Sequence, residues 1–120
     1  RRITSPADEN HQGTVFGGVI LSLIDQAGYV EARRHGLHRW VTASIDRVDF
    51  IAPVYTGDIL ALSTGTEHAG RSSVRVRVVV EAERWRCGET VKVTEAVLTM
   101  VAIGPDGRSV DFRSPPRSEP

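Results

Sequence analysis

Apolar residues recur every three or four positions over residues 16–36. Phe16, Ile20, Leu23, Ile24, Ala27 and Val30 fall on one stripe, which predicts an amphipathic helix. Val19 and Leu21 add apolar surface outside that stripe, as expected of a helix wrapped by other structure. Arg33, Arg34 and His35 followed by Gly36 supply a stop signal, with cations in the last turn and a glycine just past it. Ahead of the helix, RRITSPADE reads as an arm or short strand followed by a turn, and residues 10–15 as a loop containing Asn and Gly. After Gly36 the period changes to two. Trp40 to Ile51 is rich in β-branched and aromatic residues, and Pro53 ends it. Its apolar parity shifts from Val41, Ala43, Ile45 to Val48, Phe50, which predicts a bulge near Asp46-Arg47. Ile59 to Glu67 follows Gly57-Asp58. Val74, Val76, Val78, Val80 and Ala82 then alternate with Arg75, Arg77, Glu81 and Glu83, a strand with one buried face. Arg86 to Glu89 reads as a hairpin turn, and Thr90 to Ile103 as the last strand, closed by Pro105-Asp106-Gly107.

The predicted order is therefore an arm, one long helix and four strands in succession. Short connections between successive strands predict an antiparallel meander. One face of that sheet needs a cover, and the helix is the available one. The fold class is α+β: a curved antiparallel sheet wrapped around one long central helix, the hotdog architecture. Residues 1–108 form a single domain, and residues 109–120, with the Pro- and Ser-rich end FRSPPRSEP, read as a flexible tail. One copy leaves an edge strand and a helix flank open, so at least a homodimer is expected.

Composition narrows the partners. The 120 residues carry 15 basic and 15 acidic side chains, so no net field favours nucleic acid or an acidic membrane surface. Of the 15 basic residues 14 are arginines, which can fork onto a phosphate of a small ligand. One cysteine, Cys87, cannot form an internal disulfide or a cysteine-based metal site. It sits beside Gly88 in a turn and reads as inert. No apolar run reaches the ~20 residues that span a bilayer and no signal-like segment opens the chain, so the cytoplasm is the expected compartment. His11, His35, His38 and His68 share no zinc-binding spacing, and no metal is expected. Ser22, Ser44 and Ser63 lack the Gly-x-Ser-x-Gly context of a serine hydrolase.

The candidate chemistry lies in NHQGTVFGGVILSLIDQAG, residues 10–28. Gly17-Gly18 stands where the helix begins, where unpaired N–H groups and the helix dipole can polarise a carbonyl and hold an oxyanion. The same glycines would equally let the helix start pack closely on the sheet. Asp25 is a lone acid among Leu23, Ile24 and Ala27. It is either a solvated or arginine-paired carboxylate or a reactive one. Gly18 and Asp25 are ~10 Å apart along a helix axis, beyond the reach of general-base chemistry at one carbon. A catalytic reading therefore demands two helices lying antiparallel across a subunit interface, and a strict monomer excludes it. Asn10 could orient a water or bind a carbonyl, or serve as an Asx-turn residue.

Asn10, Gly13, Phe16, Gly17, Gly18, Leu21 and Asp25 together form a pattern that resembles the hotdog acyl-coenzyme A thioesterases of the acyl-CoA hydrolase type. VDFIAPVYTGD (48–58), AGRSSVRVRVVVE (69–81) and TEAVLTMVAIGPDG (94–107) are similar to that family's later signatures, in order and in register. The resemblance implies hydrolysis of an acyl-CoA thioester to a free carboxylic acid and CoA, with no cofactor beyond the CoA of the substrate. It implies that Asp25 activates water or attacks the thioester, and that Asn10 is contributed by the partner subunit. Gly17 and Gly18 would form the oxyanion side, and Arg71, Ser72 and Ser73 a turn beside the nucleotide part of CoA. It also implies homodimers, often assembled as trimers of dimers.

Two other functions share the fold. A non-catalytic hotdog module that binds acyl-CoA as a sensor would not need Asp25 with Asn10. A hotdog dehydratase or hydratase would need a histidine paired with an acid at the site, and the helix holds no histidine before His35.

Overall fold

The computed structural model describes residues 1–15 and 17–116. Phe16, counted in the helical stripe, and residues 117–120 lie outside the described residues. The elements are β1 (Arg2–Ile3), a 3-10 turn (Pro6–Asp8), α1 (Gly17–Arg33), β2 (Arg39–Phe50), β3 (Ile59–Ala69), β4 (Ser73–Glu83) and β5 (Thr90–Ile103). They build one antiparallel sheet in the order β1-β3-β4-β5-β2, with α1 packed on one face. This is the hotdog arrangement, α+β.

The expected meander needs one correction. β3, β4 and β5 follow one another, but β2 pairs with β5 and not with its successor β3. The connection through residues 51–58 is long enough to carry the chain across to the far edge. Asp58 fixes it there: fully buried, it accepts bonds from Arg84 Nη1 (2.8 Å), Tyr55 N (2.9 Å) and Trp85 N (3.2 Å). Its backbone oxygen also accepts from Thr4 N (3.0 Å), so one acid joins arm, crossover and β4–β5 hairpin.

The core forms where α1 meets the sheet. Val74, Val76, Val78, Val80 and Ala82 of β4 are buried to the last, as their alternation predicts, with Val93, Ala96, Leu98, Met100 and Ala102 of β5 beside them. From α1, Ile20, Ile24, Gly28, Glu31 and Ala32 face inward. Gly28 is required here, because a Cβ would lie 3.0 Å from Leu98 Cδ2. Val30, placed on the buried stripe from sequence, is 60% exposed. The buried line follows i, i+4 steps from Ile20 through Gly28 to Ala32, and Val30 falls on the flank with Tyr29. The helix also ends earlier than residue 36: Arg34 N, His35 N and Gly36 N bond back three residues, tightening the final turn.

The bulge at Asp46-Arg47 is present. Asp46 pairs with Val97 and Asp49 with Glu95, and Arg47 has φ 40°. A second irregularity at Ala43 separates Thr42, opposite Met100, from Ser44, opposite Thr99. As a result Trp40 and Thr42, then Ile45 opposite Leu98, point toward α1. Among the described residues no strand neighbours the outer edge of β2, and Val41, Ile45, Phe50 and Ile51 are exposed along it. The molecule measures 48 × 28 × 21 Å with a radius of gyration of 16.2 Å. A compact chain of this length would have ~14 Å, so α1 and the sheet form an open slab.

The tail reading narrows as well. Val110 N bonds to Ala102 O (2.9 Å), and Phe112 is 3% exposed against Trp40 and His35. A large aromatic side chain has enough apolar area to hold a Pro- and Ser-rich segment onto the core at that point. Among the described residues no helix is long and apolar enough to cross a membrane.

Candidate active site

Two features border the unpaired edge strand, and a third lies in the loop that leads into α1. The first is the start of α1. Gly17 sits beside Phe50 at the end of β2, where an added Cβ would lie 3.6 Å from Phe50 Cζ, and Gly18 is exposed. A groove of about 270 Å³ opens there, lined by Thr14, Val15, Gly17, Ile20, Phe50 and Pro53 among others. The leading N–H groups of a helix lack internal partners, and here they stand at the mouth of an apolar groove.

The second is Asp25, exposed on α1 toward the other end of β2. The Thr42 hydroxyl donates to Asp25 Oδ1 and lies 3.4 Å from Met100 Sδ. Thr42 was not among the sequence candidates. Its signal would have been a hydroxyl on the helix-facing side of an edge strand, which only the Ala43 irregularity reveals. Asp25 is bound on one oxygen and otherwise faces outward. The remaining face of its carboxylate is open for a water or a reacting carbon.

The third is Asn10, whose side chain organises its own loop. Asn10 Oδ1 accepts from Gln12 N (2.8 Å), Thr14 N (3.2 Å) and Thr14 Oγ1 (3.2 Å), and Nδ2 donates to Thr14 Oγ1 (3.0 Å). This is the Asx-turn arrangement foreseen as one alternative. Gly13 closes the loop with φ 81°, a conformation glycine adopts without strain.

The chain does not bring all sequence candidates together. Gly17 lies by Phe50 and Asp25 by Thr42, at opposite ends of β2. Arg71 and Ser72 form the β3–β4 turn and Ser73 opens β4, at the Thr42 end, because Thr42 and Val74 both lie opposite Met100. Of the arginines in that region, Arg75 pairs with Asp46 (3.0 Å) and Arg77 with Glu67 and Glu95 (2.5 and 2.6 Å). Arg71 projects 86% exposed, with one long contact to Asp111 (3.8 Å).

A buried acid unforeseen in the sequence lies on the inner side of α1. Glu31 accepts from Thr64 Oγ1 (2.9 Å) and Thr66 Oγ1 (2.8 Å) of β3. Burial pushes its carboxyl up, but the Thr66 and Thr64 hydroxyls and the charges of Arg34 and His35 outweigh that and hold it below the usual range. Glu31 points away from the groove and fixes the helix to the sheet.

Residues 12–89 match the family model described as the thioesterase superfamily. The chain is 38% identical over 123 residues to the uncharacterized acyl-CoA thioester hydrolase ZMO0511 of Zymomonas mobilis, covering 99% of this chain and 78% of that one. It superposes on HI0827, a hexameric broad-specificity acyl-coenzyme A thioesterase solved as an Asp-to-Ala variant, with TM-score 0.88, 32% identity and coverage of 92% and 82%. It also superposes on Cj0915, a hexameric hotdog-fold thioesterase of Campylobacter jejuni, with TM-score 0.87, 38% identity and coverage of 92% and 86%.

Proposed function

The chain belongs to the thioesterase superfamily and is an acyl-CoA thioester hydrolase, and from that premise we propose that its active site is composite, with Asp25 of one subunit facing the α1 start of another. The observation that carries this reading is that Asp25 and Gly17 border the same unpaired edge of β2, at its two ends. Thr42 and Phe50 are equally spaced about Asp46. A two-fold axis near Asp46 would therefore exchange the two ends and set Asp25 against the partner's helix start. It would also cover Val41, Ile45, Phe50 and the Tyr29–Val30 flank, apolar surface that a lone slab leaves in water. The homodimer is the minimal active unit, and the hexameric relatives favour its assembly as a trimer of dimers.

In this site the thioester carbonyl lies at the N–H groups of Gly17 and Gly18, whose dipole stabilises charge developing on oxygen. Asn10 holds the loop that leads into α1 in shape. Asp25, held by Thr42, takes a proton from the attacking water or attacks the carbonyl itself. The thiolate of CoA leaves without a strong general acid. The turn of Arg71, Ser72 and Ser73 receives the nucleotide end of CoA, with Arg71 on a phosphate.

Steady-state thiol release from a panel of acyl-CoAs tests the reading. Wild type should turn over while Asp25→Asn, folded and oligomeric, should not. Acyl-CoA binding without hydrolysis by wild type would instead support a sensor. Arg71→Ala should raise KM more than it lowers kcat, and an unchanged KM would remove Arg71 from the site.

A further inference from the structure

The segment after β5 returns across the β3–β4 turn and bonds to it residue by residue. Phe112 N donates to Arg71 O (3.1 Å), and Arg113 Nη1 donates to Gly70 O (2.8 Å). Two carbonyls of the turn that carries Arg71 are thus satisfied by the segment 110–114. The segment is itself anchored at several points. The Phe112 ring is buried against Trp40 and His35, and the Arg113 guanidinium lies over it at 4.4 Å. His38 Nε2 lies 3.0 Å from Phe112 O and 2.9 Å from Ser114 O. Both neighbours are acceptors, so this nitrogen carries the proton and donates to them. Gly36 makes room, since a Cβ there would stand 2.4 Å from Phe112 O.

Between this segment and the turn lies a cavity of about 400 Å³, lined by His38, Arg39, Arg71, Ser109 and Asp111 among others. Its lining brings the Arg71 guanidinium and one carboxylate to the same rim. That carboxylate, Asp111, approaches Arg71 Nε at 3.8 Å.

We propose that residues 110–114 are a strap that sets the position of Arg71, and that Asp111 is a built-in counter-ion which a substrate phosphate displaces. The inference rests on the reading of the Arg71 turn as the CoA nucleotide site. On this basis Phe112 is a positioning residue, and Asp111 sets how strongly the enzyme prefers CoA thioesters to thioesters without a nucleotide. The effect is modest, because the Arg71–Asp111 pair is long and solvated.

The experiment compares kcat/KM for an acyl-CoA with kcat/KM for the same acyl group on pantetheine, which keeps the thiol arm of CoA but has no nucleotide and no phosphate. The ratio of the two isolates the nucleotide contribution from folding and chemistry. Asp111→Asn retains the side-chain oxygen that accepts from Arg113 N (3.0 Å) but loses the charge. The ratio should rise about two- to five-fold, and the gain should shrink at high salt. Phe112→Ala should lower it. A ratio that stays flat or falls in Asp111→Asn overturns the strap inference, whether or not Phe112→Ala folds. Arg71→Ala separates the two levels. If it lowers the ratio while Asp111→Asn leaves it flat, only the strap inference falls. If it leaves the ratio unchanged, the nucleotide reading of the turn fails and the strap inference falls with it.

Discussion

Asp25 and Asp58 are both single acids in apolar stretches, and the molecule treats them in opposite ways. Asp58 is fully buried and its carboxylate is saturated by Arg84, Tyr55 N and Trp85 N. Asp25 is exposed and receives one hydroxyl, from Thr42. A buried charge persists only when it is paired and hydrogen-bonded, so Asp58 is a structural hub with no capacity left for chemistry. Asp25 is oriented on one side and open on the other, which suits a group that must accept a proton or reach a carbon. The contrast also explains why the first sits in a complete local environment and the second on an edge that one chain leaves unfinished.

The largest expected effect tests the open acid. Asp25→Asn should lower acyl-CoA hydrolysis by ~10²–10⁴-fold and leave the denaturation midpoint close to that of wild type. A variant that unfolds as readily as an Asp58 variant would erase the distinction. Asp58→Ala should show the reverse. It removes the carboxylate partner of Arg84, whose side chain is 18% exposed and keeps only the Pro53 carbonyl (2.8 Å) and the Tyr55 ring, and removal of one partner of a buried pair costs ~3–5 kcal/mol. Urea denaturation would measure that loss, and a cost below ~1 kcal/mol would show that Asp58 is not the hub described.

Thr42→Val sharpens the comparison within the site. It keeps the shape of the side chain and removes the hydroxyl from Asp25. A misplaced catalytic group can cost up to ~100-fold, and a fall in kcat of roughly ten-fold with little change in KM is expected. Full activity in Thr42→Val would mean that the partner subunit alone orients Asp25.

Glu31 supplies an effect on stability with a pH signature. Its folded carboxyl titrates below the usual range, since the Thr66 and Thr64 hydroxyls and nearby cations outweigh burial. A lowered folded value gives stability that is complete above the unfolded glutamate pKa and lost as pH falls through the folded pKa. Glu31→Gln should therefore cost about 1–2 kcal/mol at neutral pH, with the gap to wild type closing in acid. A gap independent of pH would assign the effect to packing.

Local pattern carried much of this. The β4 alternation needed no correction, because each inward valine meets the same helix. The parity break in β2 located the Arg47 bulge, since an extra residue must flip the faces that follow. Asp25 and Gly17-Gly18 stood out because a charge and two missing side chains are costly in a helix unless something uses them. What escaped was non-local. β2 pairs with β5 across the sheet, and no local period encodes which strand lies next to which. Thr42 looked like an ordinary strand threonine until the second irregularity turned it toward Asp25. Glu31 resembled a surface acid of the last helical turns, and only the position of β3 buries it. Phe112, in a segment of turn-forming composition, reaches the core through contacts with residues 36–40 and 70–71, far from it in sequence.

The composite site is the central claim, and mixed oligomers test it most directly. Asp25→Ala and Asn10→Ala protomers are each expected to be inactive alone. Refolded together, half of the dimers pair one of each, and in these one of the two sites regains both an intact Asp25 and an intact Asn10. Activity should then return to about a quarter of the wild-type value per protomer. If the mixture stays as inactive as either variant although mixed dimers have formed, both residues act within one chain and the shared-site account is wrong.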